Sequence, residues 1–118
     1  MRRDYRLYLD DILDAIKRIR DYVRGMDYKS FSSDMRTQDA VVRNLEIIGE
    51  ASRQLPAEVR EKVTTIEWTK MMSLRNILVH EYFGVNLPII WDIVHHKLGP
   101  LAEACLELME IETEGEGR

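Results

Sequence analysis

A single cysteine, Cys105, in 118 residues leaves no partner for an intramolecular disulfide. It falls in an apolar helical register, so it reads as a small core residue rather than a nucleophile. No run of about 20 apolar residues occurs, so no membrane span is expected. The opening stretch, MRRDYRLYLDD, turns acidic before any apolar run develops and does not look like a signal peptide. The expected compartment is the cytoplasm. There is no strand-like alternation, no internal repeat, no glycine-rich phosphate loop, no G-x-S-x-G elbow and no helix-turn-helix signature. Neither H-x3-H nor C-x2-C spacing is present, and the adjacent His95 and His96 point about 100° apart on a helix. Glu46 and Glu50 stand one turn apart and can hold a cation, but carboxylates at that spacing are common on a solvated helix face. The expectation is no metal and no cofactor.

A basic excess is also missing. With 17 Lys and Arg against 21 Asp and Glu, the formal net charge is −4, which argues against a general nucleic-acid binder. Positive charge is nonetheless concentrated at Arg2, Arg3 and Arg6, and along Lys17, Arg18, Arg20 and Arg24. These residues read either as a cationic rim beside a cleft or as a solvated helix face.

What is present is helical periodicity. Hydrophobic residues make up 45% and charged residues 32%, the balance of amphipathic helices. From about Asp4 to Arg24, Leu9, Ile12, Ile16, Ile19 and Val23 recur at three- and four-residue steps, and Gly25 supplies a stop. Residues 26–33 read as a loop. Ser32 or Ser33 is a candidate cap for a second helix with Val41, Leu45, Ile48, Ser52 and Leu55 on its apolar face, ending at Pro56. Gly49 within it suggests a closely packed neighbouring helix. A short helical turn follows from Pro56 to Val63, and Thr64 or Thr65 can cap the next helix, from about Ile66 to Phe83. Asn86 with Pro88 opens the last one, with a kink or break expected at Gly99-Pro100. An antiparallel bundle of four main helices plus one short helix follows, as one domain over residues 1–111. The acidic residues 112–118 are expected to be a disordered tail.

The stretch with chemistry in it is SLRNILVHEYFG, Ser73 to Gly84. At about 100° per residue, Trp68, Met71, Met72, Leu78, Val79 and Phe83 form one stripe, with Arg75 near its middle and Tyr82 seven residues on. A guanidinium keeps its charge at any working pH, so Arg75 calls for an anion, a partner chain or a water-filled cleft. His80 lies about 140° round the helix from Arg75, so a shared site needs another surface, a helix end or a second copy of the chain.

The run Arg75, four residues, His80, one residue, Tyr82 resembles the R-x4-H-x-Y motif of the HepT-like branch of the HEPN superfamily. LEIIGEA at Leu45 to Ala51, Leu55-Pro56, Trp68, Val85-Asn86 and Trp91 resemble that family in order and spacing, over roughly Asp4 to Leu108. The resemblance implies an all-helical, dimeric, metal-independent ribonuclease, the toxin of a toxin–antitoxin pair whose antitoxin is a small nucleotidyltransferase. It also implies that Tyr82 is the acceptor for AMP transferred by that partner.

The residue types suit the chemistry. RNA is cleaved without metal when its own 2′-hydroxyl attacks the adjacent phosphorus. That requires a proton carrier near neutrality, as His80 can be, and a fixed cation for the phosphoryl oxygens, as Arg75 can be. Asn76 precedes His80 by one turn, and its amide can orient the imidazole, bind RNA or bond a neighbouring helix. Tyr82, on residue type alone, is as well read as core packing. The alternative to an enzyme is a non-catalytic helical partner or scaffold for a nucleotidyltransferase, which the acidic net charge favours.

Overall fold

The structure, a computed structural model, describes residues 4–80 and 86–116, with side chains for residues 4–74 and 86–111. Its elements are α1 (Tyr5–Val23), α2 (Tyr28–Ser32), α3 (Met35–Gln54), α4 (Ala57–Arg60), α5 (Trp68–His80), α6 (Leu87–Asp92), a π turn (Ile93–Lys97) and α7 (Leu98–Glu116). Among the described residues every regular element is helical, so the all-α bundle expected from periodicity is the fold observed.

Helix α1 begins where Asp4 accepts the Arg6 amide at 2.9 Å, satisfying one of the donors a helix start leaves open. It ends at Val23, and Gly25, two residues on, has a φ of 75° in the left-handed region that closes helices. Nothing crowds a side chain there, so backbone conformation alone calls for glycine. Leu9, Ile12, Ile16, Ile19 and Val23 are buried as expected, and Ala15 joins them. That face packs against α3 and α7, and α3 packs in turn against α5. Val41, Leu45 and Ile48 from α3, and Leu98, Leu101, Cys105 and Leu108 from α7, complete the core. Each such aliphatic side chain contributes roughly 1.5–3 kcal/mol by leaving water. Gly49 is buried within α3.

Four boundaries differ from expectation, each for a local reason. The loop expected over residues 26–33 contains α2. Asp27 accepts the Ser30 amide at 2.8 Å while its own amide donates to Ser30 Oγ at 3.1 Å, a reciprocal cap. Phe31, fully buried, anchors the five-residue helix to the core. Ser32 and Ser33 do not cap α3; their hydroxyls donate back to the Lys29 carbonyl at 2.9 and 3.1 Å. Asp34 is the cap, accepting the Thr37 amide at 3.0 Å and its hydroxyl at 2.9 Å.

The expected break at Gly99-Pro100 is the third difference, since α7 passes through both residues. The irregularity sits one turn earlier, in the π turn. Pro100 has no N–H to donate one turn back, and the widened turn is where the hydrogen-bond ladder shifts. Fourth, α7 runs on to Glu116, past Leu108, the last apolar position expected for it.

Candidate active site

The motif helix is positioned from its first turn. Trp68, 9% exposed, donates its indole N–H to the Val63 carbonyl at 3.0 Å, which ties the start of α5 to the turn after α4. The Glu67 carbonyl accepts the Met71 amide at 3.2 Å, and the Glu67 carboxylate pairs with Lys70 at 2.7 Å. The Lys70 ammonium holds the Glu67 carboxyl below its usual range. Neither Thr64 nor Thr65 adjoins Trp68, so the expected caps fall short of the helix.

Trp68, Met71 and Leu74 are the buried residues of the described face, whereas Met72 is half-buried. The apolar stripe therefore turns towards Leu74, a residue the expected stripe omitted, and away from Met72. Two cations from preceding elements reach Met72. Arg53 Nη2, on the last turn of α3, donates to its carbonyl at 3.1 Å, and Arg60 Nη1, at the end of α4, approaches its sulfur at 2.6 Å. No periodic signal marks Arg53 or Arg60 in the sequence, because only tertiary packing brings each of them to Met72.

Arg75, Asn76 and His80 all lie on the continuous backbone of α5. Five residues of straight helix separate Arg75 from His80 by about 140° and about 7.5 Å along the axis. The side chains of these three lie outside the described residues, and so does Tyr82 altogether.

The remaining candidates have other engagements. Glu46 faces Arg43 at 3.9 Å, and Glu50 accepts from Gln54 Nε2 at 3.4 Å. Both line a cleft of about 450 Å³ between α1 and α3, shared with Tyr8 and Asp11. Among the described residues no three His, Cys, Asp or Glu side chains cluster as a metal would require. His95 stacks on Trp91 with ring centroids 4.1 Å apart and donates Nδ1–H to the Trp91 carbonyl at 3.0 Å. His96 Nδ1 bonds Asp92 at 2.9 Å, so the two adjacent imidazoles serve different partners. Cys105 is fully buried, and burial pushes its thiol up to about 12. No described helix is long and apolar enough to cross a membrane.

A family model described as Ribonuclease HepT-like matches residues 12–108, most of the chain. The chain belongs to the ribonuclease HepT-like family. Among its relatives, "Probable ribonuclease HepT" of Thermococcus cleftensis is 39% identical over 86% of this chain and 92% of its own length. The "mRNA nuclease HepT" of Shewanella oneidensis is 34% identical over 71% of the chain and 80% of its own. A Methanocaldococcus jannaschii protein, "Gamma-glutamylcyclotransferase and putative RNase", is 41% identical over 93% of the chain. The HepT-like chain spans only 50% of that protein's length. No solved structure matches the chain.

Proposed function

We propose that the chain is a metal-independent endoribonuclease that works as a homodimer on RNA in the cytoplasm. The observation that carries this is the HepT-like family match over residues 12–108, which spans the helix bearing Arg75 and His80. In the reaction, the substrate's 2′-oxygen bonds to the adjacent phosphorus and the bond to the 5′-oxygen breaks. His80 moves protons: one leaves the 2′-hydroxyl and one is delivered to the departing 5′-oxygen. Arg75 stabilises the negative charge gathered on the phosphoryl oxygens. Two residues about 140° apart on one helix do not easily serve one phosphate. Two such helices across a two-fold axis offer both residue types to a common groove, which supports the dimer.

The regulatory part of the reading is that a nucleotidyltransferase antitoxin neutralises this toxin by transferring AMP to Tyr82. The test of the whole is cleavage of RNA by purified protein in the presence of chelator, beside an Arg75→Ala, His80→Ala double variant. Metal-independent cleavage by the wild type and its loss in the variant are expected. A folded, unmodified wild type that leaves RNA intact would instead support the non-catalytic partner, the reading favoured by the net charge of −4.

A further inference from the structure

We propose that Arg53 and Arg60 form a phosphodiester-binding subsite, holding the RNA backbone beside α5 at a point separate from the Arg75 and His80 pair. The proposal rests on RNA being the ligand of this chain, as in the reading above. It starts from an imbalance of charge. Acidic side chains outnumber basic ones, 21 to 17, and other cations such as Arg6, Arg24, Arg43 and Lys70 each stand within 4 Å of a carboxylate. Arg53 and Arg60, like exposed cations such as Lys17 and Arg18, have no carboxylate partner among the described residues, and what sets them apart is their shared neighbour. They converge on one neutral residue, Met72, through its carbonyl and its sulfur.

Neither acceptor answers the charge. A guanidinium carries five donors, and a thioether is a weak acceptor. Arg60 is half-buried, and its Nε is buried without a hydrogen-bond partner. A buried donor left unmade is unfavourable, and so are two cations held against the same residue without a carboxylate partner. A phosphodiester answers the uncompensated charge, because its two anionic oxygens accept the forked Nη–H groups that arginine presents. The location suits a strand of RNA. Met72 precedes Arg75 by three residues of α5, about 4.5 Å along the helix axis, so a phosphate held at Met72 lies along the helix that carries the motif.

The experiment measures binding of a short 2′-O-methyl oligouridylate, which lacks the attacking hydroxyl, by fluorescence anisotropy across a potassium chloride series. For single strands the slope of log affinity against log salt is about −0.7 per neutralised phosphate. The Arg53→Ala, Arg60→Gln double variant is expected to reduce the slope by about 0.7, the one phosphate no longer neutralised, and each single variant by less. Arg53→Lys should keep the slope, since it keeps the charge, and Met72→Leu should keep it because it removes only the sulfur contact. Circular dichroism checks that each variant is folded, and any that is not is replaced by Arg53→Gln or Arg60→Met. A wild-type slope in the double variant would overturn the proposal, as would a wild type that does not bind the oligonucleotide at low salt. If the slope is unchanged but capture of the nucleotidyltransferase is lost, the pair is a protein-docking surface and the subsite is refuted. Cleavage separates this from the enzyme reading. An arginine-dependent slope in a protein that cuts no RNA upholds the subsite and sinks the ribonuclease, whereas cleavage with an unchanged slope does the reverse.

Discussion

The indole of Trp68 and the carbonyl of Val63, 3.0 Å apart, join the first residue of the motif helix to the turn that precedes it. Val63 is 6% exposed, so water cannot readily replace the indole once it is gone. Trp68→Phe keeps an aromatic ring but leaves that carbonyl unpaired, at a cost of about 1–3 kcal/mol. Urea denaturation should show a lower midpoint at an unchanged slope. A midpoint equal to wild type would mean that the carbonyl finds another donor.

Cys105 should be inert in the folded protein. A thiol pushed up to about 12 carries almost no thiolate at pH 8, and complete burial denies a reagent access as well. Ellman's reagent should therefore react slowly with native protein and fully in denaturant. Rapid reaction of the native state would show that the α7 face opens readily. Cys105→Ala should retain RNA cleavage, because the thiol has no part in the proposed reaction.

The long helices were legible because burial and helical period agree in them. Leu9, Ile12, Ile16, Ile19 and Val23 name the inner face of α1 without ambiguity. Helix α2 escaped notice because five residues are too few to establish a period, and its evidence was chemical: an Asp27 with a serine three residues on, followed by a core phenylalanine. The kink expected at Gly99-Pro100 falls instead in the π turn, because proline acts on the ladder one turn before its own position, which shifts the irregularity to Ile93–Lys97. The placement of Arg75, Asn76 and His80 on one helix was readable from their neighbours' spacing. The convergence of Arg53 and Arg60 on Met72 was not, since it joins residues 19 and 12 positions apart through tertiary packing alone.

Acid should weaken the connection between α2 and α3. The carboxyls of Asp27 and Asp34 are held below their usual range, chiefly by the backbone amides of Ser30 and Thr37 and then by the hydroxyls of the same residues. A depressed folded-state pKa means stability that is fully present above the ordinary carboxylate value, about 3.9, and is lost as pH falls through the folded value. Asp34→Ala should lower the melting temperature at pH 7, and the gap to wild type should narrow as the pH drops below about 4. A gap that stays constant with pH would assign the loss to something other than the charged cap.

The proposed composite site makes a demand on subunits rather than on residues. Arg75→Ala and His80→Ala should each abolish cleavage as pure homodimers, and Arg75→Lys should be impaired because an ammonium lacks the planar fork. When the two alanine variants are unfolded together and refolded, mixed dimers bring one intact Arg75 and one intact His80 to the shared groove. Partial recovery of cleavage is expected from the mixture. No recovery, or sedimentation as a monomer at micromolar concentration, would remove the two-fold groove from the mechanism.

Regulation at Tyr82 is testable by mass. In the proposed modification the phenolic oxygen of Tyr82 attacks the α-phosphorus of ATP, pyrophosphate leaves, and the phenolic proton passes to solvent. On this proposal the product carries a phosphodiester and a purine seven residues after Arg75, so that the added negative charge competes with RNA for the same cation and the ring occupies the proposed groove. Tyr82→Phe removes the acceptor oxygen and keeps the ring, so this variant should fold, cleave RNA and escape inhibition. Incubation with the nucleotidyltransferase, ATP and magnesium, followed by intact-mass measurement, should add an adenylyl group to wild type alone. Equal adenylylation of the Phe variant would move the acceptor to Tyr5, Tyr8, Tyr22 or Tyr28. Of these, Tyr22 and Tyr28 are the exposed ones, at 41% and 39%, and the ones to replace first. Adenylylation of wild type with no loss of cleavage would separate the modification from inhibition and leave Arg75 free to bind RNA beside a modified Tyr82.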